Sequence, residues 1–377
     1  MIGLRVLHVY RTYFPDPPGG LQEAIRQIAL STRSFGIKAR IFALSPNNFP
    51  AEIERPEGRI IRCRSWAAPA SCDLGGVSAF MRFAESAEWA DVIHYHFPWP
   101  FADLLHQVTK PRAPAVLTYH SDVVRQRWLG KIYAPLMHGM FRATSAVVAT
   151  SPAYAVTSPI LSEAEIHDKV HIIPLGIVES SYPSDGDNSV FARIGLADEE
   201  PYFFFIGVLR YYKGLHTLVQ AARRVGAKLV VAGSGPEGGA LKQMTHELGA
   251  SNVLFAGQVT DEEKVALIKR CRAMVLPSHL RSEAFGMVLV EAAMLGRPMV
   301  SCEIGTGTSY VNLDGETGFV VPPENPDALA SALQILLNDY DLVNRFGLRA
   351  RARYDSFFSG PALGSAYANL YRQVARG

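Results

Sequence analysis

Cysteine is scarce in this sequence of 377 residues, which has only four of them. They are Cys63, Cys72, Cys271 and Cys302. No two form a Cys-x-x-Cys pair, so their spacing indicates neither a zinc site nor a redox motif. Isolated cysteines are most often buried, reduced thiols, which are typical of cytoplasmic proteins. We therefore expect a cytoplasmic protein.

A strong excess of one charge is also missing. The 37 lysines and arginines nearly balance the 35 aspartates and glutamates, and the formal net charge is +2. Proteins that bind nucleic acid usually carry a marked basic excess. The sequence therefore predicts no nucleic-acid partner.

Long apolar runs, repeats and low-complexity segments are absent from the sequence. No apolar run reaches the length of a membrane span. Residues 1–10 are apolar, but they lack the longer hydrophobic region and cleavage site of a signal peptide. We expect this stretch to be the first β-strand.

What the sequence does contain is an alternation of short apolar runs with helical patterns. The hydrophobic fraction is 48% and the charged fraction 19%, as in a well-packed enzyme. The predicted strands in the first half are 4–10, 38–44, 91–96, 114–120, 146–151 and 170–176. A helix is predicted over 21–36, with Gly36 as its C-cap. Such alternation indicates βαβ units and a parallel sheet.

The alternation stops at residues 179–200, which are polar and predicted to be a linker. It then resumes with strands at 202–209, 228–235, 253–259, 273–278, 298–303 and 318–323. Helices are predicted at 215–226, 262–272 and the chain end. The length also favours two domains. We predict two doubly wound α/β domains, 1–180 and 181–357, with a ligand cleft between them.

Two short stretches could bind phosphate groups. Gly19 and Gly20 follow the first strand and open a helix, whose N-terminal N–H groups can bind an anion. Gly207 ends a later strand, and Arg210 and Lys213 follow it, as cations suited to a diphosphate would. An ordinary turn and a pair of solvated charges are the alternatives.

Histidines and one acidic pair could suggest a metal. His94, His96 and His120 end strands, but a His-x-His strand pattern directs both rings to one side without a nearby acid. Asp185 and Asp187 form an Asp-x-Asp pair of the kind that binds Mg²⁺. That pair lies in the polar segment, so we expect a solvated loop there and no metal.

Two glycine-rich turns offer further backbone donors. Residues 233–235 follow a strand, and residues 305–309 alternate glycine with hydroxyl side chains. Successive N–H groups in such turns can bind an anion. An ordinary turn explains either one equally well.

A basic segment at 110–142 carries six basic residues against one acid, with aromatic and methionine side chains between them. This mixture suits an anionic membrane surface or a lipid diphosphate. A solvated helix that packs its apolar face on the domain is an equal alternative. The candidate residues for an acceptor or membrane contact are His96, Arg125, Arg127, Trp128 and Lys131.

Taken in order, Gly19-Gly20, His120, GVLRYYKG, GSGPE and SEAFGMVLVE resemble the retaining GT-B glycosyltransferases of family 4. The segments HYHFPWPFADLLH, TYHSDVVRQ, PSHLRSEAFG and SCEIGTGTSYVN are similar to bacterial mannosyl- and D-rhamnosyltransferases of O-polysaccharide assembly. The resemblance covers nearly the whole chain. It implies a GT-B fold of two Rossmann-like domains, with a C-terminal helix at about 358–377 that returns to the first.

The resemblance also implies substrates and a location. The donor would be a GDP-sugar, and the acceptor a polyprenyl-diphosphate-linked N-acetylglucosamine or growing glycan in O-antigen synthesis. The protein would act peripherally at the cytoplasmic face of the inner membrane. No metal or other cofactor is expected. A different GT-B enzyme, such as an epimerase or a UDP-sugar transferase, and a non-catalytic nucleotide-sugar-binding subunit remain alternatives.

The resemblance also implies roles for individual residues. Arg210 and Lys213 would hold the donor diphosphate, while His120 and Glu283 would contact the transferred sugar. Glu291 would hold the ribose hydroxyls. The other expected nucleotide-sugar-binding residues are Gly19, Gly20, Gly207, Gly235, Gly257, Val259, Phe285 and Gly286.

The two glutamates at 283 and 291 are predicted to lie in different elements. Glu283 would sit in a loop, and Glu291 inside a helix with an apolar stripe of Val288, Ala292 and Leu295. We therefore expect two separate contacts with one nucleotide sugar and no acid–base pair. Retention could arise through a covalent intermediate or through attack on the face that the diphosphate leaves. The resemblance favours the second route.

Overall fold

The computed structural model describes residues 3–16, 19–68, 72–122 and 127–377, with only the main chain described for 127–132. The chain divides into two compact units. The first comprises Met1–Gly176 with Gly360–Gly377, and the second comprises Ile177–Ser359. The predicted boundaries lie within a few residues of these. None of the described helices has the length and apolar character needed to cross a bilayer.

The first unit is a nine-stranded sheet with helices between its strands. Its strands are β1 (Arg5–Val9), β2 (Lys38–Ser45), β3 (Glu52–Arg55), β4 (Gly58–Ala67), β5 (Leu74–Gly75), β6 (Val92–Phe97), β7 (Ala115–Tyr119), β8 (Ala146–Ala149) and β9 (Val170–Ile172). Its helices are α1 (Gly20–Arg33), α2 (Val77–Trp89), α3 (Pro100–Thr109), α4 (Arg127–Ala143), α5 (Pro152–Thr157), α6 (Ala164–His167) and the C-terminal helix Gly360–Val374.

The central strands of this sheet run in the order β4-β2-β1-β6-β7-β8-β9, all parallel. Every residue of β6, β7 and β8 is buried, as expected of strands covered on both faces. The C-terminal helix packs on α1, where Gly364 lies so close to the Ser31 carbonyl that no larger side chain fits.

The second unit contains a six-stranded, wholly parallel sheet. Its strands are β10 (Tyr202–Ile206), β11 (Lys228–Ala232), β12 (Val253–Gly257), β13 (Met274–Leu276), β14 (Met299–Cys302) and β15 (Gly318–Val321). Its helices are α7 (Ser189–Ile194), α8 (Leu215–Ala222), α9 (Gly238–Glu247), α10 (Asp261–Arg270), α11 (Met287–Met294), α12 (Thr308–Val311), α13 (Pro326–Asn338) and α14 (Tyr340–Arg353). The C-terminal helix of the first unit is therefore α15. The strand order is β12-β11-β10-β13-β14-β15.

The predicted fold class is confirmed, and each predicted strand overlaps a strand of the structure. The hairpin β3–β4 and the short β5 were not predicted. Burial in β3 only alternates between exposed and half-buried, and its glutamates pair with Arg59 at the sheet edge. Charged edge strands of this kind lack the apolar run that identifies a buried strand. The predicted C-cap was also misplaced, since α1 ends at Arg33.

The linker prediction for residues 179–200 is wrong. This segment belongs to the second unit and contains α7. Its backbone bonds to α10, because Asp187 N donates to Glu262 O at 3.1 Å. Gly186 lies against Ala266, where an added Cβ would come within 2.7 Å of the Ala266 main chain. Segment 179–200 is therefore a packed part of the second unit.

Candidate functional site

In the second unit, the predicted site residues gather at one edge of the sheet. Because neighbouring strands are parallel, their carboxyl ends and the loops that follow them lie along the same edge. The loops after β10 to β14 contain residues 207–214, 233–237, 258–260, 277–286 and 303–307. We call this edge the donor edge, after the sugar donor that the resemblance implies for its residues.

Two glycines bring neighbouring loops of the donor edge into close contact. Gly233 N donates to Gly257 O at 2.6 Å, and Leu209 N donates to Ser234 O at 3.0 Å. A Cβ on Gly235 would come within 2.6 Å of Leu209 N, so only glycine fits. The close packing of these loops is therefore sufficient to require glycine at position 235, without any contact to a ligand. It also positions the loop that carries Arg210.

Lys213 and Glu283 form a buried ion pair. The Lys213 Nζ donates to Glu283 Oε2, and both side chains are nearly inaccessible to solvent. Burial alone would lower the pKa of Lys213, but Glu283 and Tyr212 together outweigh burial and raise this pKa above its usual value. Ser278 Oγ donates to the same carboxylate oxygen at 3.2 Å. Lys213 is thus a fixed cation at the donor edge.

Arg210 differs from Lys213 in its surroundings. It is exposed, and no carboxylate among the described residues pairs with it. An unpaired guanidinium with several N–H donors can bind phosphate oxygens in pairs. The donor edge therefore combines one free cation with one buried, paired cation.

Glu283 and Glu291 occupy different elements, as predicted. Glu283 precedes α11 in a loop, and Thr306 Oγ1 donates to its main-chain carbonyl at 2.8 Å. Gly286 caps α11 in a left-handed conformation with φ of 85°. Phe285 is buried, and Gly307 lies so close to its ring that a Cβ would come within 2.5 Å. The loops around Glu283 are thus fixed by packing.

The predicted apolar stripe of α11 is partly wrong. Ala292 is buried, but Val288 and Leu295 are only half-buried. The buried residues are Leu289, Val290, Glu291, Ala292, Ala293 and Met294, which cover most of the circumference. A helix that is buried on nearly all sides has no single stripe.

Glu291 is buried within α11 and anchored by two residues from elsewhere in the unit. Its Oε1 accepts hydrogen bonds from Tyr182 Oη at 2.6 Å and from Lys264 Nζ at 3.1 Å. Burial alone would lower the pKa of Lys264, but Glu291 and Asp261 together outweigh burial and raise this pKa. The second oxygen, Oε2, is buried and has no partner among the described residues. Buried polar atoms usually have a partner, so this oxygen is available to a ligand hydroxyl.

Sequence reasoning missed Tyr182 and Lys264. Tyr182 lies in the segment predicted to be a linker, and Lys264 lies in a predicted helix with other charges on both sides. Neither residue has a local signal in the sequence, because each reaches Glu291 only through the fold. Gly257 and Val259, predicted to lie by the nucleotide base, are at the end of β12 and in the following loop.

In the first unit, Gly19 and Gly20 open α1 as predicted. Gly19 is the N-cap residue, with extended backbone. Gly20 is exposed, and a Cβ added there would meet no atom within 4 Å. Neither packing nor backbone conformation therefore requires glycine at position 20. The first-turn N–H groups of such a helix can reach an anion without obstruction.

His120 follows β7 and ends a row of three histidine rings. Its Nε2 lies 2.9 Å from His96 Nδ1, and His96 Nε2 lies 3.0 Å from His8 Nδ1. His8 and His96 are fully buried, and His120 is 7% exposed. Burial lowers the pKa of His8 and of His120 to about 3, and lowers that of His96 well below its usual value. All three rings are therefore neutral at pH 7.

The structure describes only some of the residues predicted to contact an acceptor or a membrane. His96 is buried in β6, so the expectation that its side chain meets an acceptor or a membrane directly is wrong. Arg125 lies outside the described residues. Arg127, Trp128 and Lys131 belong to α4, but their side chains lie outside the description, so this prediction stays open.

Among the described residues, two groups of side chains have the spacing of a metal site. They are His8, His94 and His96 in the first unit, and His216, His279 and Glu324 in the second. In the first group both nitrogens of His94 are already hydrogen-bonded, to Tyr371 Oη and Thr118 Oγ1, each at 2.7 Å. Asp187, in the Asp-x-Asp pair, caps the nearby Ser189 N–H at 2.8 Å. The expectation of no metal stays a prediction.

Comparison with known families covers both units. Residues 187–353 match the family described as glycosyl transferases group 1, and residues 19–176 match the glycosyl transferase 4-like domain. An O-antigen chain mannosyltransferase of Escherichia coli is 39% identical over 368 residues, which cover 98% of each chain. A D-rhamnosyltransferase of Pseudomonas aeruginosa is 42% identical over 357 residues, covering 94% of this chain and 92% of the relative.

Solved structures share the fold at lower identity. A sucrose-phosphate synthase from Thermosynechococcus elongatus has a TM-score of 0.78 at 22% identity, covering 98% of this chain and 99% of that one. An Anabaena protein solved in complex with UDP has a TM-score of 0.80 at 19% identity, covering 98% and 100%. The chain is therefore a glycosyltransferase of the GT-B fold and belongs to the group 1 glycosyl transferases.

Proposed function

We propose that this glycosyltransferase moves mannose or D-rhamnose from a GDP-sugar to a polyprenyl-diphosphate-linked glycan, with retention of configuration. The acceptor would be N-acetylglucosamine or the growing chain in O-antigen synthesis. The names of the two relatives, an O-antigen chain mannosyltransferase and a D-rhamnosyltransferase, support the sugar and the pathway.

One observation carries the proposal for the donor. The donor edge carries the exposed Arg210 and the buried Lys213–Glu283 pair. The helix α11, which begins at this edge, carries Glu291, whose buried Oε2 has no partner among the described residues. A nucleoside diphosphate sugar needs cations for its phosphates and acceptors for its hydroxyls, and this edge offers both. Arg210 and Lys213 would hold the diphosphate, Glu283 the sugar and Glu291 the ribose.

Catalysis would rest on charge that is fixed before the reaction. As the sugar leaves, negative charge develops on the departing diphosphate, and preorganised cations stabilise it. The Lys213 ammonium has three N–H donors and gives one to Glu283. The other two remain available to phosphate oxygens. Since two cations serve this purpose, the reaction requires no metal.

The chemical step follows from retention without a covalent intermediate. The bond between the anomeric carbon and the diphosphate oxygen breaks, and the acceptor hydroxyl bonds to the same face of that carbon. The hydroxyl proton passes to the leaving diphosphate, so no separate base is needed. His120 would contact the transferred sugar, and Gly20 would let the backbone approach an anionic group.

The proposed location is the cytoplasmic face of the inner membrane. The cysteines are free, as expected of a reducing compartment. A lipid-linked acceptor lies at a membrane surface, and basic segment 110–142 would suit an anionic one. If more of the protein sediments with anionic than with neutral vesicles, the result would support this location. If the protein sediments with neither kind of vesicle, the result would contradict it.

A donor panel tests the proposed function. The purified enzyme is incubated with GDP- and UDP-sugars and a synthetic polyprenyl diphosphate that carries N-acetylglucosamine, and products are identified by mass and NMR. We expect transfer from GDP-mannose or GDP-D-rhamnose, unchanged by EDTA. Activity that EDTA abolishes and Mg²⁺ restores would point to metal binding. Donor hydrolysis without acceptor would favour an epimerase, and GDP binding without turnover a non-catalytic subunit.

A further inference from the structure

The row of histidines behind His120 has only two hydrogen-bonding states. A neutral imidazole carries one N–H, so His96 donates through one nitrogen and accepts through the other. Both ring–ring hydrogen bonds must therefore point the same way. They run either outward, from His8 to His120, or inward, from His120 to His8.

The buried end of the row distinguishes the two states. His8 Nε2 is buried and has no hydrogen-bond partner among the described residues. In the inward state this nitrogen would carry a proton, which would leave an N–H buried without an acceptor. In the outward state it is a bare acceptor. Among main-chain groups, a buried N–H without an acceptor is rarer than a buried acceptor without a donor, and the same preference in the His8 ring favours the outward state.

The neighbouring histidine does not interfere with this row. His94 lies on the same strand as His96, with ring centroids 4.2 Å apart. Its two nitrogens are occupied by Tyr371 and Thr118, and Thr118 Oγ1 is also 2.9 Å from Tyr367 Oη. His94 therefore belongs to a separate hydrogen-bonded branch toward α15.

We propose that His8 and His96 are positioning residues that fix His120 as a hydrogen-bond donor through Nδ1. In the outward state His96 Nδ1–H donates to His120 Nε2, so the proton of His120 must lie on Nδ1. The hydrogen bond at one ring nitrogen decides which tautomer a histidine adopts. The described residues offer no partner for His120 Nδ1, which leaves it available to a ligand.

The proposal deepens the proposed function, on which it rests for the contact between His120 and the transferred sugar. A His120 with a proton on Nδ1 can donate to a sugar or phosphate oxygen, but it cannot take the acceptor proton through that atom. The row thus excludes His120 as the base. This agrees with proton transfer to the leaving diphosphate.

The test reads the ring protons directly. The protein is labelled with ¹⁵N in its histidine rings, and the His120 signals are assigned by their loss in H120Q. In the wild type we expect a protonated Nδ1 and an unprotonated Nε2. In H96L the row is broken, so both ring forms of His120 should appear, and kcat should fall about tenfold with a smaller change in the donor KM.

Two variants separate positioning from packing. In H96N the side-chain amide stands where Nδ1 stood, so it can donate to His120 and should restore most of the single ring form and of kcat. H94L removes an equally buried histidine outside the row. It should leave the His120 ring form unchanged, whatever it costs in stability.

Several outcomes would overturn the proposal. The first is a wild-type His120 that is protonated on Nε2 or on both nitrogens. The second is an unchanged His120 ring form in H96L. The third is a wild-type protein that binds one equivalent of a metal ion, together with an H8L variant that does not. If H96L does not fold, the wild-type spectrum alone decides the direction of the row. If the expected ring form occurs without any transferase activity, the proposed function fails and the positioning of His120 stands.

Discussion

The two cations of the donor edge are held in different ways, and this difference decides what each substitution should do. Lys213 is buried against Glu283, so its position is fixed by the fold. Arg210 is exposed on the same loop and can reorient toward a ligand. Loss of Arg210 should therefore affect binding and catalysis, whereas loss of Lys213 should also affect folding.

Replacing Arg210 by alanine should lower transfer by about 10²-fold, the range expected when a charge-stabilising donor is lost. Its thermal unfolding should match that of the wild type, because the side chain is exposed. Turnover and calorimetry check both expectations. R223A, which removes an exposed cation outside the donor edge, should keep full activity. Wild-type turnover by R210A would contradict the diphosphate role.

Replacing Lys213 by alanine should lower both activity and stability. The change leaves the Glu283 carboxylate buried without its cation, which typically costs about 3–5 kcal/mol. Chemical denaturation measures the loss of unfolding free energy, and the transfer assay measures activity. An equally stable K213A protein would mean that the pair contributes little to the fold.

Replacing Gly20 by alanine should have opposite effects on stability and on donor binding. Alanine there should keep or raise stability, by up to about 1 kcal/mol, because alanine favours helix over glycine and meets no neighbour. If an anionic ligand approaches this backbone, G20A should raise the donor KM about tenfold. G226A is the control, because it replaces an exposed glycine before β11 and should leave the donor KM unchanged. Unchanged kinetics in G20A would remove the ligand role.

At the scale of elements, segment 179–200 is where the sequence was least informative. Its serines, aspartates and glycines are typical of a loop, yet Gly186 packs on α10 and Tyr182 bonds Glu291. These contacts join residues about 80 and 109 positions apart. Local composition cannot indicate such contacts, because they exist only once the unit has folded.

Replacing Gly186 by alanine tests whether this segment is packed. The new methyl group would press on the Ala266 main chain, and overpacking of this kind typically costs about 1–3 kcal/mol. The unfolding free energy of G186A should fall by that amount. D185A, an exposed neighbour, should change it by less than about 0.5 kcal/mol. Equal stability of the two variants would restore the linker interpretation.

The strands show which elements a sequence can predict. β6, β7 and β8 are apolar along their length because both faces are covered, so the pattern was sufficient. β3 is the edge strand, with the sequence EIER, and β4 beside it has Arg59, Arg62 and Arg64. Charges on an edge strand oppose pairing with other chains. Charges in either strand also interrupt the apolar run by which a strand is recognised in a sequence.

At the scale of the whole molecule, the buried histidines make stability depend on pH. In the folded state the pKa of His8 and of His120 is lowered to about 3, and His94 and His96 are also well below their usual value. The unfolded chain takes up protons below pH 6.5 that the folded chain does not. The stability of the first unit is therefore complete above pH 6.5 and decreases as the pH falls.

Thermal unfolding between pH 7.5 and 5.5 measures this effect above the range in which most carboxylates titrate. Each histidine that stays neutral should cost up to about 1.4 kcal/mol per pH unit below 6.5. The wild-type midpoint should fall steadily, and H94L, with one such histidine fewer, should show a shallower fall. A midpoint that is constant across this range would mean that the rings take up protons in the folded state as readily as in the unfolded chain.

The site could be predicted from the sequence to the extent that its residues end strands. His120, Arg210, Lys213 and Glu283 all follow strands, and parallel strands bring such residues to one edge within each unit. The residues that contact site side chains across the fold could not be predicted. His8 is linked to His120 through His96, and Tyr182 and Lys264 contact Glu291. By its local pattern, each of the three would be an ordinary interior or surface residue.

The central claim is retaining transfer from a GDP-sugar to a lipid-linked glycan. The most direct measurement is the anomeric configuration of the product formed by the purified enzyme from GDP-mannose or GDP-D-rhamnose and polyprenyl-diphosphate N-acetylglucosamine, read by NMR. We predict a new linkage with the configuration of the donor. A product of inverted configuration, or no glycan product from either donor, would contradict the account.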